Sequence, residues 1–226
     1  MENFSEIELS IIEYRNILKF IKEYRDLDFT DYALTSLKRR FENAMSVHGI
    51  KQSDFLVERI KEDEPFFQHF LQEISVEGTE MFRDPSLWRQ LKDVVFPSLF
   101  IEPGPIRFWL PFSVSGDELF TLAIVLKENN WLDKAEIFVS VINNLVQDRI
   151  QSGYFKKTKL DVSIDNYKRY GGKGELTDYY TIKNDQILRN NTLIKKVNFF
   201  IQNINFDQSI QDIRFILYRN QLIYFG

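Results

Sequence analysis

Cysteine is absent from the 226 residues of this chain, and only two histidines occur. The lack of cysteine excludes disulfides, thiolate metal sites and cysteine nucleophiles, and it favours a reducing compartment, which we expect to be the cytoplasm. Two histidines are too few for a histidine-rich metal site, and neither His48 nor His69 lies in a motif typical of nucleophilic catalysis. We therefore expect no metal cofactor and a structural role for both histidines.

Long apolar runs and a strong charge of one sign are missing too. No run of 18 apolar residues occurs, so we expect no transmembrane helix and no membrane insertion. The N-terminal stretch MENFSEIELS is acidic and polar, unlike a secretory signal. A net charge of −4 does not favour nucleic-acid binding. Residues 156–196 carry twice as many basic as acidic side chains, which indicates either an acidic partner or a solvated face.

Apolar side chains, by contrast, make up 44% of the chain, and 21 of them are Phe. In the first hundred residues they recur at helical spacing, which predicts a first helix within 5–28 and a second over about 30–47. Ser53 is suited to cap a third helix, and Pro65 fits the first turn of a fourth. These features predict an all-helical N-terminal domain over residues 1–95.

After Pro97 the pattern changes to short apolar runs separated by polar segments. A helix-length stretch, 116–130, lies between the first two runs. This alternation of strand and helix predicts an α/β fold with a parallel sheet covered on its faces, over residues 96–226. The predicted strands are 106–110, 136–142, 195–201 and 213–218.

Residues 155–190 interrupt this alternation. They are rich in β-branched and aromatic residues around the sequence YGGKG at 170–174. Glycine pairs between such residues are typical of hairpins, so we expect a small β-rich insertion here.

Five stretches, in chain order, resemble the motifs of the chemotaxis receptor methyltransferases, the CheR family. Each stretch alone is a weak signal, but their co-linear order across the chain is specific. The stretches are GTEMFRDPSLW at 78–88, RFWLPFSVSGDELFTLA at 107–123, IFVSVIN at 137–143, VNFFIQNI at 197–204 and IRFILYRNQLIYF at 213–225.

The resemblance implies a helical N-terminal domain followed by a Rossmann-like methyltransferase domain with a small antiparallel insertion. It also implies S-adenosylmethionine as the methyl donor and glutamate side chains of acidic helical receptors as the acceptors. The family continues beyond the equivalent of LIYFG with a further helix and strand. We therefore expect a sheet that is incomplete at its C-terminal edge, where 213–218 is an outer strand open to self-association.

The resemblance also implies roles for individual residues. An arginine near the reacting centre can hold a carboxylate in a fixed orientation, which suits Arg83 as a catalytic residue beside Tyr224. The implied contacts of S-adenosylmethionine are Thr79, Arg83, Ser115, Glu118, Asn203, Ile204, Arg219 and Asn220. The implied contacts of an acidic receptor helix are Lys38, Arg39 and Arg40.

Ordinary structural roles explain several of these residues equally well. Arg83 can pair with Asp84 at a helix start, and Ser115 with Glu118 matches a capping box. Asn203 follows an apolar run, as turn residues often do. The basic side chains of the second helix are also typical of a solvated helical face.

Two departures from the family pattern weaken the predicted donor site. Phe112, preceded by Pro111, stands where the family has a glycine that permits positive φ and a close backbone approach. Val141 replaces the acidic residue that holds the ribose, and losing such a charge-assisted hydrogen bond costs about 1.5–3 kcal/mol, roughly ten- to a hundredfold in affinity. Asn143 and Asn144 are the nearest substitutes. Two functions remain open: a methyltransferase of weakened activity, and a non-catalytic domain that binds an acidic signalling partner.

Overall fold

The computed structural model divides the chain into two compact units. The first comprises the described residues up to 75 together with Arg219, and the second comprises the described residues from 79 to 218. The predicted domain boundary at 95/96 lies farther along the chain than this division. The structure describes residues 7–29, 34–75, 79–183, 186–201 and 210–219.

Helices form the described part of the first unit. They are α1 (Ile11–Arg25), α2 (Leu34–Val47), α3 (Ser53–Glu62) and α4 (Glu64–Ile74). Ser10 and Glu13 form a capping box at the start of α1, and Pro65 lies in the first turn of α4 as predicted. The prediction that Ser53 caps α3 is wrong, because Ser53 is already helical and its hydroxyl donates to Glu13 instead.

Aromatic rings join the helices of the first unit. Tyr14 of α1 meets Phe41 of α2 edge-on with ring centroids 5.4 Å apart, and Phe41 meets Phe70 of α4 at 5.0 Å. Edge-to-face pairs of this kind add about 0.5–1.5 kcal/mol beyond the area they bury. The two histidines lie at the surface of this unit: His48 Nε2 is 3.0 Å from Glu73, and His69 Nδ1 is 2.8 Å from the Pro65 carbonyl oxygen.

The second unit combines helices with two sheets. The elements are α5 (Pro85–Gln90), a π-helical turn (Leu91–Val95), α6 (Phe96–Leu99), β1 (Ile106–Leu110), α7 (Asp117–Glu128), β2 (Ala135–Val141), α8 (Asn144–Gln151), β3 (Tyr154–Phe155), α9 (Leu160–Tyr170), β4 (Tyr180–Lys183), β5 (Gln186–Arg189), β6 (Asn198–Ile201) and β7 (Phe215–Ile216). Short 3-10 turns lie at 132–134, 157–159, 176–179 and 191–194.

The larger sheet is parallel, as predicted, with the strand order β6-β2-β1-β7. All four predicted strands are present, although β6 and β7 are shorter than the predicted 195–201 and 213–218. In register, Phe108 of β1 lies between Ile137 of β2 and Phe215 of β7. Helix α7 is buried along most of its length, which is why residues 119–126 are apolar except for Thr121. The sheet therefore brings the carboxyl ends of β1 and β2 together beside the start of α7.

The insertion, residues 154–189, contains an antiparallel sheet of order β3-β5-β4 and the helix α9. Strand β4 pairs with β5 in antiparallel register, and the glycines of 170–174 lie outside this pair. Gly171 instead ends α9 with a left-handed φ of +83°. Gly172 packs so closely that a Cβ there would lie 2.0 Å from Tyr167 Cζ. Glycines at a helix end and glycines in a hairpin look alike in a sequence.

Candidate functional site

The turn after β1 is tied to the end of β2. Phe112 N donates to Ser140 Oγ at 3.0 Å, and Ser113 N donates to the Ser140 carbonyl oxygen at 2.9 Å. Phe112 is buried, with 6% of its surface exposed, and its φ is +51°. The backbone thus keeps the left-handed conformation that favours glycine, although a non-glycine residue there costs about 1–2 kcal/mol.

The N-cap of α7 is Gly116, whose φ is +74°, and not Ser115. The predicted capping box of Ser115 with Glu118 is therefore wrong, because the left-handed glycine moves the N-cap one residue along the chain. Ser115 Oγ accepts a hydrogen bond from Asp117 N at 3.2 Å. Glu118 lies half-buried in the first turn of the helix.

Thr79 and Ser115, two of the predicted donor contacts, lie together at this turn. Their hydroxyl oxygens are 3.0 Å apart, and Thr79 also donates to Asp117 Oδ2 at 3.2 Å. Three residues further on, Phe82 N donates to Thr121 Oγ1 of α7 at 3.0 Å. The segment that carries Arg83 is thereby held against the start of α7.

Arg83 lies between two residues in the left-handed conformation, Phe82 with φ +55° and Asp84 with φ +56°. Strained residues of this kind persist only where their surroundings hold them, and they are frequent at functional sites. The Trp88 indole donates to the Arg83 carbonyl oxygen at 3.0 Å. The Arg83 guanidinium lies 3.9 Å from Glu80, and 37% of its side chain is exposed. Part of the Arg83 side chain is therefore open to solvent.

A buried charge cluster, absent from the sequence-based prediction, lies behind the turn. Asp117 is 2% exposed and Arg189 of β5 is 3% exposed. Asp117 Oδ1 accepts from Arg189 Nη1 at 2.8 Å, and Asp117 Oδ2 accepts from Lys159 Nζ at 3.1 Å. Burial lowers the pKa of the Arg189 guanidinium, and the Asp117 carboxylate opposes that shift. The one sequence feature that could have indicated this cluster is Arg189 itself, a single arginine at the end of the short strand QILR.

The end of β2 has no acidic side chain for a ribose. Val141 is 0% exposed, within the core of the second unit. Asn143 caps α8, where its Oδ1 accepts from Val146 N at 3.0 Å, and Asn144 is exposed in the first turn of that helix. The residues at this strand end therefore do not fit the ribose hydroxyls of S-adenosylmethionine.

Four predicted site residues lie outside the described residues: Asn203, Ile204, Asn220 and Tyr224. Arg219 is described and half-buried, but it groups with the first unit rather than with Thr79 and Ser115.

The basic side chains predicted to bind a receptor lie on α2. Lys38 Nζ donates to Glu42 Oε1 at 2.6 Å, and Arg40 Nη1 donates to the Ile74 carbonyl oxygen at 3.1 Å. Arg39 is exposed. Two of the three cations therefore stabilise the first unit itself.

None of the helices in the described part of the chain is long and apolar enough to cross a membrane. Within the same ranges, no group of His, Asp and Glu side chains is arranged to hold a metal ion.

Comparison with known proteins finds methyltransferases among the relatives of this chain. The putative methyltransferase Cher3 of Pseudomonas putida is 28% identical over 215 residues, which cover 95% of this chain and 78% of Cher3. The chemotaxis protein methyltransferase of Listeria innocua is 23% identical, with 94% of this chain and 79% of the relative covered. The chemotaxis protein methyltransferase of Borreliella burgdorferi is 22% identical, with 97% of this chain and 80% of the relative covered.

Family models match both parts of the chain. A model of the CheR methyltransferase all-alpha domain matches residues 12–75. A model of the CheR methyltransferase SAM-binding domain matches residues 77–226. The predicted resemblance and fold class are thus confirmed, and the chain belongs to the CheR methyltransferase family.

Proposed function

We propose that this chain transfers a methyl group from S-adenosylmethionine to glutamate side chains of chemoreceptor-type signalling proteins, and that its affinity for the donor is weakened. The observation that carries the proposal is the attachment of the Arg83 segment to the start of α7. Thr79 meets Ser115 at 3.0 Å and Phe82 N meets Thr121 at 3.0 Å, which supports one donor site made of the Arg83 segment and the turn before α7.

Methyl transfer to a glutamate carboxylate requires little from the protein beyond positioning of the two reactants. S-adenosylmethionine, when bound, supplies an electrophilic methyl group. A glutamate acceptor is ionised at neutral pH, so no strong base is needed. Orientation of the acceptor then accounts for most of the rate. Arg83 is suited to this role because its planar guanidinium can hold a carboxylate in one orientation while part of its side chain stays exposed.

An acidic receptor helix in the cytoplasm is the proposed partner. Since Lys38 and Arg40 have partners within the first unit, Arg39 is the cation of α2 best placed to meet it. Arg39→Glu should weaken binding of an acidic receptor fragment at low salt. Unchanged binding of that fragment would exclude this surface.

A labelled-methyl transfer assay with acidic receptor fragments tests the activity. Arg83→Ala should reduce methyl transfer at least about a hundredfold, in line with the loss of a group that orients the reactants. Arg89→Ala, an exposed arginine on α5, is the matched control and should leave transfer unchanged. Equal rates for the wild type and Arg83→Ala would contradict the role of Arg83.

A second candidate function is a non-catalytic domain that keeps the fold and binds an acidic signalling partner. The buried Val141 and the ring of Phe112 favour it, because both replace groups that the family uses to hold the donor. This function predicts receptor binding with no methyl transfer at any donor concentration.

A further inference from the structure

Arg189, at the end of β5 in the insertion, is a buried cation whose hydrogen bonds point to the turn before α7. Its Nη1 donates to Asp117 at 2.8 Å, and its Nη2 donates to the carbonyl oxygens of Ser115 at 2.8 Å and Tyr154 at 2.7 Å. The guanidinium also lies 4.3 Å from the centroid of the Phe120 ring. A buried guanidinium is tolerated only when its charge and donors are satisfied in this way.

The surrounding backbone is shaped to this side chain. Arg189 N donates to the Gly153 carbonyl oxygen at 2.7 Å, and a Cβ on Gly153 would lie 2.4 Å from the Arg189 carbonyl oxygen. A Cβ on Gly116 would lie 3.6 Å from Arg189 Nη2. Glycine therefore stands on both sides of the arginine: a Cβ on Gly116 would be in ordinary contact with it, whereas a Cβ on Gly153 would crowd its strand.

The insertion also holds the opposite end of α7, through different chemistry. Glu128, the last residue of the helix, accepts hydrogen bonds from the hydroxyls of Tyr167 and Tyr179, the latter at 3.2 Å. Lys173 Nζ donates to the Glu128 carbonyl oxygen. Both anchors fix the helix, but only the anchor at Arg189 includes predicted donor contacts.

We propose that Arg189 is a positioning residue for the donor site. It fixes the Ser115 carbonyl and the Asp117 carboxylate, and Asp117 in turn accepts from Thr79 at 3.2 Å. The donor contacts at the start of α7 then depend on the insertion being docked. The inference rests on the proposed function, because it assigns Arg189 to the same donor site without contact to the donor.

Calorimetry with S-adenosylhomocysteine and amide hydrogen exchange of the ligand-free protein test this role together. Arg189→Met should weaken binding at least about tenfold and accelerate exchange of the amides of residues 113–118 by a similar factor. Arg189→Lys should recover part of both, because it keeps the charge beside Asp117. Glu128→Gln, which weakens the opposite anchor, should change stability while leaving binding within about twofold.

Arg189→Met leaves Asp117 with one fewer cation in the interior and risks unfolding. Asp117→Asn combined with Arg189→Met removes both charges of the pair and should fold. This double variant should still bind weakly and exchange fast over 113–118. Wild-type binding and exchange in either folded variant would overturn the role of Arg189.

The exchange data also separate this inference from the proposed function. If the wild type gives no binding heat, donor binding fails as a function. Faster exchange in the variants would still support positioning by Arg189, and unchanged exchange would overturn it.

Discussion

Two residues of the proposed donor site differ from the family pattern: Phe112 stands in place of a glycine, and Val141 stands in place of an acidic residue. Phe112 keeps the left-handed φ of +51° that the turn needs, so the backbone path survives without glycine. Val141 is fully buried and offers no hydrogen-bond acceptor. Asn143 caps α8 through its amide oxygen, so neither Val141 nor Asn143 places a carboxylate at this strand end. At the scale of residues, then, the turn has the left-handed backbone conformation of a glycine but carries the side chain of Phe112.

Restoring the carboxylate at the end of β2 should restore affinity. We expect Val141→Asp to bind S-adenosylmethionine about ten- to a hundredfold more tightly than the wild type, because it adds one charge-assisted hydrogen bond. It should also lower the free energy of unfolding without donor, because a carboxylate replaces a buried valine. Calorimetry and denaturant unfolding measure the two effects.

The exposed position Asn144 supplies the control, since Asn144→Asp adds the same charge three residues away. It should leave donor affinity within about twofold. Equal gains from the two variants would show that net charge, and not the ribose contact, governs affinity.

Helix α7 is the element on which the site depends. Its start is set by Gly116, its first turn holds Asp117 and Glu118, and the insertion anchors both of its ends. A Cβ on Gly116 would lie 2.9 Å from Ile150 Cγ2, so this glycine is required for space as well as for its φ of +74°.

Replacing Gly116 should therefore lower the free energy of unfolding by more than backbone strain alone would. Gly171, which ends α9 with φ +83° and has nothing within 4 Å of its Cβ position, isolates the strain. We expect Gly171→Ala to lose about 1–2 kcal/mol of unfolding free energy and Gly116→Ala to lose more, because Ile150 must also shift. Denaturant unfolding of both variants makes the comparison, and equal losses would contradict crowding at Gly116.

Local sequence patterns predicted the elements better than the contacts between them. Apolar runs located β1 and β2 because parallel strands are buried on both faces. The start of α7 was misplaced because Ser115 and Glu118 fit a capping box while a left-handed glycine followed. The pair of Asp117 with Arg189 was missed because 72 residues separate its members, and no local pattern encodes that contact.

Both units contain tyrosines that are buried or half-buried. Burial, together with the nearby Glu128 carboxylate, raises the pKa of Tyr179 to about 12. Burial also raises the pKa of Tyr14 in the first unit and of Tyr180 in the second. At the scale of the molecule, the sequence indicated the family through five motifs in chain order. It indicated the aromatic interior only through the number of aromatic residues, and not through their positions.

These tyrosines should make the protein sensitive to alkali. Below the unfolded-state pKa of about 10 both states keep the phenolic proton, and the stabilisation is fully present. Between about pH 10 and 12 the unfolded chain loses the proton while folded Tyr179 keeps it, so the free energy of unfolding should fall as pH rises.

Denaturant unfolding across this pH range, with tyrosinate absorbance recorded alongside, checks the prediction. Tyr179→Phe should show a shallower decline than the wild type. Complete tyrosinate formation in a protein that remains folded would contradict it.

Calorimetric titration of the wild-type chain with S-adenosylmethionine tests most directly the claim that a CheR donor site persists without its ribose contact. We predict a dissociation constant of about 10⁻⁵–10⁻⁴ M, ten- to a hundredfold weaker than micromolar binding. Binding at micromolar concentration or below would contradict the weakened site. No binding heat at millimolar S-adenosylmethionine would contradict the claim that a donor site is retained.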